Sequence, residues 1–385
     1  MTFEQIVRLM HKATLLFMII SFSVQAQSDL LDPTFDSDGW ATTNTGPAGE
    51  SYAIAVQENG RIVVGGAINE HFGLVRYMPD GTLDQSFGTN GKVESQFASA
   101  RGVDLAIQPD GKIVLAGEVY GESFVVARYD ANGALDPTFS SDGWATTNID
   151  QDCVNSSARA LTLQPDGRIL LAGSGQFGSQ QDMAFARFNA DGALDDSFGG
   201  DGTVVLSWGS NDDVATDVVV RSDGRILVTG VVSSAQADAA LVRMMADGSL
   251  DNTFGTNGLV VTDLGGTTNT DVALGLDLDG NILAVGSVST GFGGWAATVT
   301  RYLPDGTLDP AFGTNGTTTT PVLDMFDAMS VVVDAQQRVV IGGRATSFAG
   351  YPQMAIMRYL SDGTLDASFA EQGAMVASFG IGMND

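Results

Sequence analysis

Cysteine is almost missing from this 385-residue chain: Cys153 stands alone, so no cross-link within one molecule can hold the fold together. Histidine is nearly as scarce, with only His11 and His71. A Ser-His-Asp or Cys-His catalytic arrangement would have to rest on His71, which has no partner identifiable from sequence. No Cys or His cluster with zinc spacing exists either. Positive charge is short as well: 18 Lys and Arg against 46 Asp and Glu leave a net charge of −28. Nucleic acid and anionic membranes would be repelled by such a surface. Helical periodicity is absent after residue 27, and proline is sparse at 10 residues. The 48 glycines suit short strands joined by tight turns.

Long hydrophobic runs are confined to the N-terminus. Arg8, His11 and Lys12 precede an apolar run over residues 13–24, and small residues follow at Val24, Ala26 and the neighbouring glutamines. This reads as a secretory signal peptide over residues 1–27, cleaved near Ala26 or Gln27. The run is short for a bilayer span, and the junction has no cysteine to accept a lipid. The expected product, residues 28–385, is secreted to the cell surface, extracellular space or periplasm, with no membrane insertion after cleavage. Cys153 then reads as an incidental loop thiol.

What the chain has in abundance is self-similarity. Leu-Asp-x-x-Phe begins at Leu31, Leu83, Leu135, Leu194, Leu250, Leu308 and Leu365, at spacings of 52 to 59 residues. A glycine follows each Phe by four positions, from Gly39 to Gly373. Between copies lie a hairpin pattern, clearest in residues 103–117 (VDLAIQPDGKIVLAG), and a strand ending in Arg plus, in most copies, an aromatic, as at Arg128-Tyr129. Each unit supplies strands a, b, c and d. Four strands in about 56 residues match a propeller blade, whereas a β-helix rung needs about half that length. Six complete sets predict an all-β, six-bladed β-propeller of four antiparallel strands per blade, its ring closed by a terminal strand. Residues 40–44 and 374–379 are the two candidates for that strand.

At Pro109-Asp110-Gly111-Lys112-Ile113, Ala127-Arg128-Tyr129 and Leu135-Asp136-Pro137-Thr138-Phe139 the pattern resembles the delta-60 repeat family. That resemblance spans nearly all of the chain after residue 27. It implies a propeller on an exported bacterial protein, of a kind often joined to sorting or adhesive domains, and it implies no activity. No sorting domain is recognisable after the sixth unit.

Each strand-c Arg stands eight residues before the motif Asp: Arg76 and Asp84, Arg128 and Asp136, Arg187 and Asp195, Arg243 and Asp251, Arg301 and Asp309, Arg358 and Asp366. These read as six structural ion pairs, with bidentate guanidinium–carboxylate geometry available to them. The other reading, a ring of ligand-binding arginines, would require six identical sites in blades whose other loops differ. The motif Phe is expected to pack between neighbouring blades, and the following Gly to adopt positive φ.

The two faces of the ring differ. On the a-to-b and c-to-d side the spacing is invariant, while the stretch from the strand-b glycine to the strand-c Arg grows from 10 residues (Gly66 to Arg76) to 15 (Gly343 to Arg358). Recognition loops tolerate insertion on a rigid frame, which assigns binding to the b-to-c and d-to-a side. Its longest connections carry Phe177, Phe292, Trp295, Phe348 and Tyr351. Aromatics of this kind suit contact with sugars or protein. Calcium is the metal best matched to Asp36-Ser37-Asp38-Gly39 and Asp277-Leu278-Asp279-Gly280, yet neither continues as an EF-hand, and Asp-Gly is already explained by turns. No cofactor is expected. The reading is a monomeric, non-enzymatic binding, scaffold or adhesion module for extracellular protein or polysaccharide. The alternative is a propeller glycan hydrolase or lyase with carboxylates at its central pocket.

Overall fold

The computed structural model describes residues 31–46, 49–98, 100–119, 123–233, 237–265, 269–291, 294–321, 325–346, 352–370 and 372–377. Residues 1–30, which hold the expected signal segment, lie outside these. No helix among the described residues is long and apolar enough to cross a membrane.

Alternation and Asp-Gly turns produce 24 strands in six antiparallel sheets of four. Blade one contains β1 (Glu50–Val56), β2 (Ile62–Ile68), β3 (His71–Tyr77) and β4 (Lys92–Ala98). Blade two contains β5 (Ala100–Ile107), β6 (Ile113–Val119), β7 (Ser123–Tyr129) and β8 (Trp144–Thr147). Blade three contains β9 (Cys153–Leu163), β10 (Ile169–Phe177), β11 (Gln180–Phe188) and β12 (Thr203–Leu206). Blade four contains β13 (Asp213–Val220), β14 (Ile226–Ser233), β15 (Ala237–Met244) and β16 (Leu259–Thr262). Blade five contains β17 (Asn269–Leu276), β18 (Ile282–Gly291), β19 (Gly294–Tyr302) and β20 (Thr317–Thr320). Blade six contains β21 (Met325–Val333), β22 (Val339–Thr346), β23 (Pro352–Tyr359) and β24 (Ala374–Ala377). The protein is a six-bladed β-propeller.

The a-to-b turn shows how little sequence each corner needs. Gln108 N–H donates to Lys112 O at 2.8 Å, Asp110 Oδ1 accepts the Lys112 N–H at 3.2 Å, and Gly111 takes φ +83°. Only glycine adopts that φ without strain.

Strand b is buried on both sides, which explains its unbroken apolar runs. In β6, Ile113 and Leu115 face the core shared with blade one, while Val114 and Ala116 face the core shared with blade three. Each fully buried Ile or Leu contributes about 1.5–3 kcal/mol. Because these cores lie between blades, each blade depends on its neighbours for much of its burial.

Of the two segments that could complete the last blade, β24 takes the outer position, antiparallel to β23. Residues 40–44 join no sheet. They lie with residues 31–39 against blade one, where Tyr77 Oη donates to Thr43 Oγ1 at 2.7 Å. The reason is local: β24 follows its own c strand within the same repeat unit, so its pairing closes the smaller loop.

Candidate functional site

On the a-to-b and c-to-d side one arrangement is repeated in every blade. Arg128 is the penultimate residue of β7 and its side chain reaches toward blade three. Its Nε donates to Asp136 Oδ2 at 2.8 Å, its Nη2 to Thr138 Oγ1 at 3.0 Å, and its Nη1 to the Ala190 carbonyl of blade three at 2.5 Å. The guanidinium lies over Phe139 at 4.8 Å from the ring centre. The six Arg Nε–Asp Oδ2 distances are all 2.6–2.8 Å. The expected bidentate geometry is absent, because each second carboxylate oxygen serves its own turn. Asp136 Oδ1 accepts the Thr138 N–H at 3.0 Å and its hydroxyl at 2.7 Å.

Three members of this arrangement escaped the sequence reading. One is the Ser or Thr just before the motif Phe: Ser86, Thr138, Ser197, Thr253 and Ser368, with Ala311 the exception in blade five. Their recurrence was visible as a sequence signal. The second is a cation from the a-to-b turn. Arg61, Lys112, Arg168 and Arg225 each reach the motif Asp at 2.9–3.5 Å, whereas Arg338 of blade six turns to Asp334. The third is the carbonyl of the following blade, which has no sequence signal: Ala131, Ala190, Ala246, Pro304 and Ser361 serve Arg76, Arg128, Arg187, Arg243 and Arg301.

Burial acts to raise the Asp136 pKa, but the Thr138 hydroxyl and N–H together with Arg128 outweigh it and hold the group at about 2. Asp84 and Asp195 are lowered against the same burial by Ser86 and Arg76, and by Ser197 and Arg187. Asp251 and Asp366 are lowered first by the Thr253 and Ser368 hydroxyls. All six arginines are nearly buried and hold their own c-to-d connection, and five of them also reach a carbonyl of the next blade.

The opposite side differs from blade to blade. In blade three the added residues lengthen the b–c hairpin, so β10 and β11 have nine residues each where β2 and β3 have seven. Phe177 is the last residue of β10, opposite Gln180, and packs half-buried against the core between blades two and three. Cys153 faces it as the first residue of β9, so it is a strand thiol, and burial pushes its pKa up. Trp295 lies in β19 opposite Ser289 and is half-buried. Phe177 and Trp295 belong to non-adjacent blades. Phe292, Phe348 and Tyr351 lie outside the described residues.

The same side holds a polar group that the aromatic search passed over. Arg101 Nε meets Glu118 Oε1 at 2.7 Å, and Arg101 Nη1 meets Tyr52 Oη at 3.3 Å with its guanidinium 5.4 Å from the Tyr52 ring centre. Tyr52 also donates to Glu50. Burial first, then the Glu50 hydrogen bond, pushes the phenol up to about 12, so at neutral pH it is a hydroxyl donor. Further round the ring, Asp213 is fully buried and accepts the N–H groups of Trp208 at 2.6 Å and Ser233 at 3.3 Å. Burial raises its pKa, helped by Asp182 and Asp212.

The innermost strands carry two carboxylates engaged across a blade junction, Asp104 buried and Asp217 half-buried. Asp104 accepts the Leu161 N–H of blade three at 2.8 Å, and Asp217 the Leu274 N–H of blade five at 2.9 Å. Both receiving strands have a bulge, and a bulge leaves an N–H to be satisfied. These two carboxylates are therefore caps between blades. Asp277 likewise accepts the N–H groups of Asp279 and Asn281, each at 2.9 Å, and Asp38 accepts that of Trp40 at 3.3 Å. No three His, Cys, Asp or Glu side chains group for a metal among the described residues. His71 pairs with Glu94 at 3.0 Å.

A family profile described as a domain of unknown function (DUF5122) β-propeller matches residues 57–87, 108–139, 164–198, 221–254, 278–312 and 338–369, one match per blade. Each match runs from the end of strand a to the motif Phe and so covers the repeated Arg–Asp arrangement. A search of curated proteins returned no match. Among solved structures, a protein of unknown function from Dyadobacter fermentans is similar at 12% identity and TM-score 0.46, over 80% of this chain and 93% of that one. A PL25 ulvan lyase bound to a GlcA–Rha3S saccharide is similar at 10% identity and TM-score 0.49, over 84% and 82%. Drosophila Plexin A in complex with Semaphorin 1b is similar at 11% identity and TM-score 0.43, over 81% and 73%.

Proposed function

Because the chain belongs to the DUF5122 β-propeller family, we propose that it is an exported, non-enzymatic binding or scaffold module whose b-to-c and d-to-a face holds extracellular protein or polysaccharide. The asymmetry between faces carries this reading. One face repeats the same Arg–Asp–Phe arrangement in each blade, while the other presents side chains found in single blades. Tyr52, Arg101 and Glu118 combine a hydroxyl donor, a cation and an aromatic face between blades one and two. Trp295 adds a half-buried indole on blade five. Aromatic planes beside fixed polar groups suit sugar rings and protein side chains alike. The resemblance of the repeats to the delta-60 group, found on exported proteins, agrees with this. The hydrolase or lyase reading loses support where Asp104 and Asp217 serve as backbone caps.

The test is a glycan array and a surface-protein pull-down with the wild-type protein, each with and without calcium, repeated with Trp295→Ala and Tyr52→Ala. Wild-type protein is expected to retain at least one ligand, and one of the two variants to weaken it by about tenfold. Undiminished binding by both variants, or cleavage of a glycan by the wild-type protein, refutes the proposal.

A further inference from the structure

Seven copies of the Leu-Asp-x-x-Phe motif meet only six blades, and the structure shows which copy is left over. The motifs of blades one to five dock on the c-to-d turn of the blade that follows. The residue after the motif Phe donates its N–H to a turn carbonyl: Gly88 to Asn132, Ser140 to Asp191, Gly199 to Asp247 and Gly313 to Asp362, at 2.6–2.9 Å. The turn glycine makes room for this approach. A Cβ on Gly192 would stand 2.8 Å from Ser140 N and 3.2 Å from the Phe139 ring.

Among the described residues no blade precedes blade one, yet its acceptor site is filled. Asp36 N–H donates to Asp80 O at 2.6 Å, and a Cβ on Gly81 would stand 2.8 Å from Asp36 N and 3.0 Å from the Phe35 ring. Thr43 meets Tyr77 just as Thr262 of β16 meets Tyr302 and Thr320 of β20 meets Tyr359, at 2.6–2.9 Å in all three. Residues 31–44 thus take on blade one the place that the motif and the outer-strand threonine of a preceding blade take at the other junctions.

The surplus copy is that of blade six. Phe87, Phe139, Phe198, Phe254 and Phe312 are fully buried, but Phe369 is only half-buried. Arg358 keeps Asp366, Ser368 and Phe369, yet among the described residues its Nη1 has no carbonyl of a following blade. The a strand of every other blade packs against strands of the blade before it; among the described residues β1 has no comparable packing against β21, β22 or β23. The hydrophobic residues on the two sides of this seam form separate small clusters, Ile54 and Ile62 with Phe35 on one side, Val340 and Ile356 with Phe369 on the other.

We propose that residues 31–44 are an exchangeable latch on blade one, and that the blade-six motif, with Arg358 and Phe369, is its competitor for the same acceptor at Asp80 and Gly81. With the latch seated, the seam between blades one and six stays unsealed. With the latch displaced, blade six docks on blade one by the contacts already made at the other five junctions, and the ring seals within one chain. The latch segment is then free to engage elsewhere.

Crosslinking of the full-length exported protein tests this, in a Cys153→Ser background with a short bismaleimide. The pair Asp36→Cys with Asp80→Cys reports the seated latch, Ala370→Cys with Asp80→Cys reports the sealed ring, and Ser140→Cys with Asp191→Cys checks that an ordinary junction stays intact. Adding Phe35→Ala to the Ala370–Asp80 pair is expected to raise its intrachain crosslinking several-fold, and adding Phe369→Ala to abolish that gain, with the Ser140–Asp191 crosslink unchanged. Failure of the Ala370–Asp80 pair to link within one chain even with Phe35→Ala overturns the proposal, as does a link found only between chains.

Discussion

Arg128 shows how much one side chain can hold when each of its donors has a separate task. It closes its own c-to-d connection through Asp136, steadies Thr138, and reaches across to blade three through Ala190. Removing it leaves the buried Asp136 with the Lys112 amine, 3.5 Å away, as its remaining cation beside the Thr138 hydrogen bonds, and uncovers Phe139. Arg128→Ala should therefore cost about 3 kcal/mol of stability, read from the urea unfolding midpoint. Arg128→Lys should recover less than half, since an ammonium cannot serve three directions at once. Acid acts on the same arrangement in all blades where the shift is resolved. Asp84, Asp136, Asp195, Asp251 and Asp366 have folded-state pKa values below the ordinary 3.8, with Asp136 at about 2. The stability they contribute is complete above the unfolded value and is lost as pH falls through the folded one. Asp213 and Asp238 are raised and work in the opposite sense, but they are fewer. Thermal melts should thus change little between pH 7 and 5, then drop steeply from about pH 4 to pH 2.

At the scale of the strand and its turns, glycines that look alike in sequence carry different loads. Gly111 and Gly143 both have positive φ, at +83° and +95°. An added Cβ meets nothing within 4 Å at Gly111, but at Gly143 it would lie 2.7 Å from Leu135 Cβ. Gly111→Ala should cost about 1 kcal/mol from backbone strain alone. Gly143→Ala should cost at least twice that, because the motif Leu must move as well; paired denaturation curves compare the two. The same scale separates what the pattern of residues revealed about the candidate site from what it concealed. Arg128 and Asp136 were readable as partners because eight residues of one connection bring them together whatever the neighbours do. Phe177 was misplaced because an insertion between two strands reads as a loop, whereas here the strands went on pairing through it. The Tyr52–Arg101 contact joins two blades and left no periodic trace.

For the molecule as a whole, the seam between blades one and six sets it apart from a ring of six equal junctions. A side chain's worth depends on which junction it serves. Phe139→Ala, at a fully buried position between blades two and three, should cost about 3–5 kcal/mol. Phe369→Ala, chemically the same change at the seam, should cost less than half as much in chemical denaturation, because Phe369 is only half-buried. Equal losses would mean that the two junctions are packed alike.

Repeat number, the four strands of each blade and the Arg–Asp pairing follow from the order of residues alone, because each depends on contacts within some 56 residues of one unit. The carbonyl that each Arg reaches in the next blade, the caps at Asp104 and Asp217, and the seating of residues 31–44 on blade one were decided only when blades were placed side by side. Those contacts join groups whose sequence separation carries no information about their distance. Identical motifs must therefore compete for a limited number of neighbours, and only the assembled ring determines which of them is left without one.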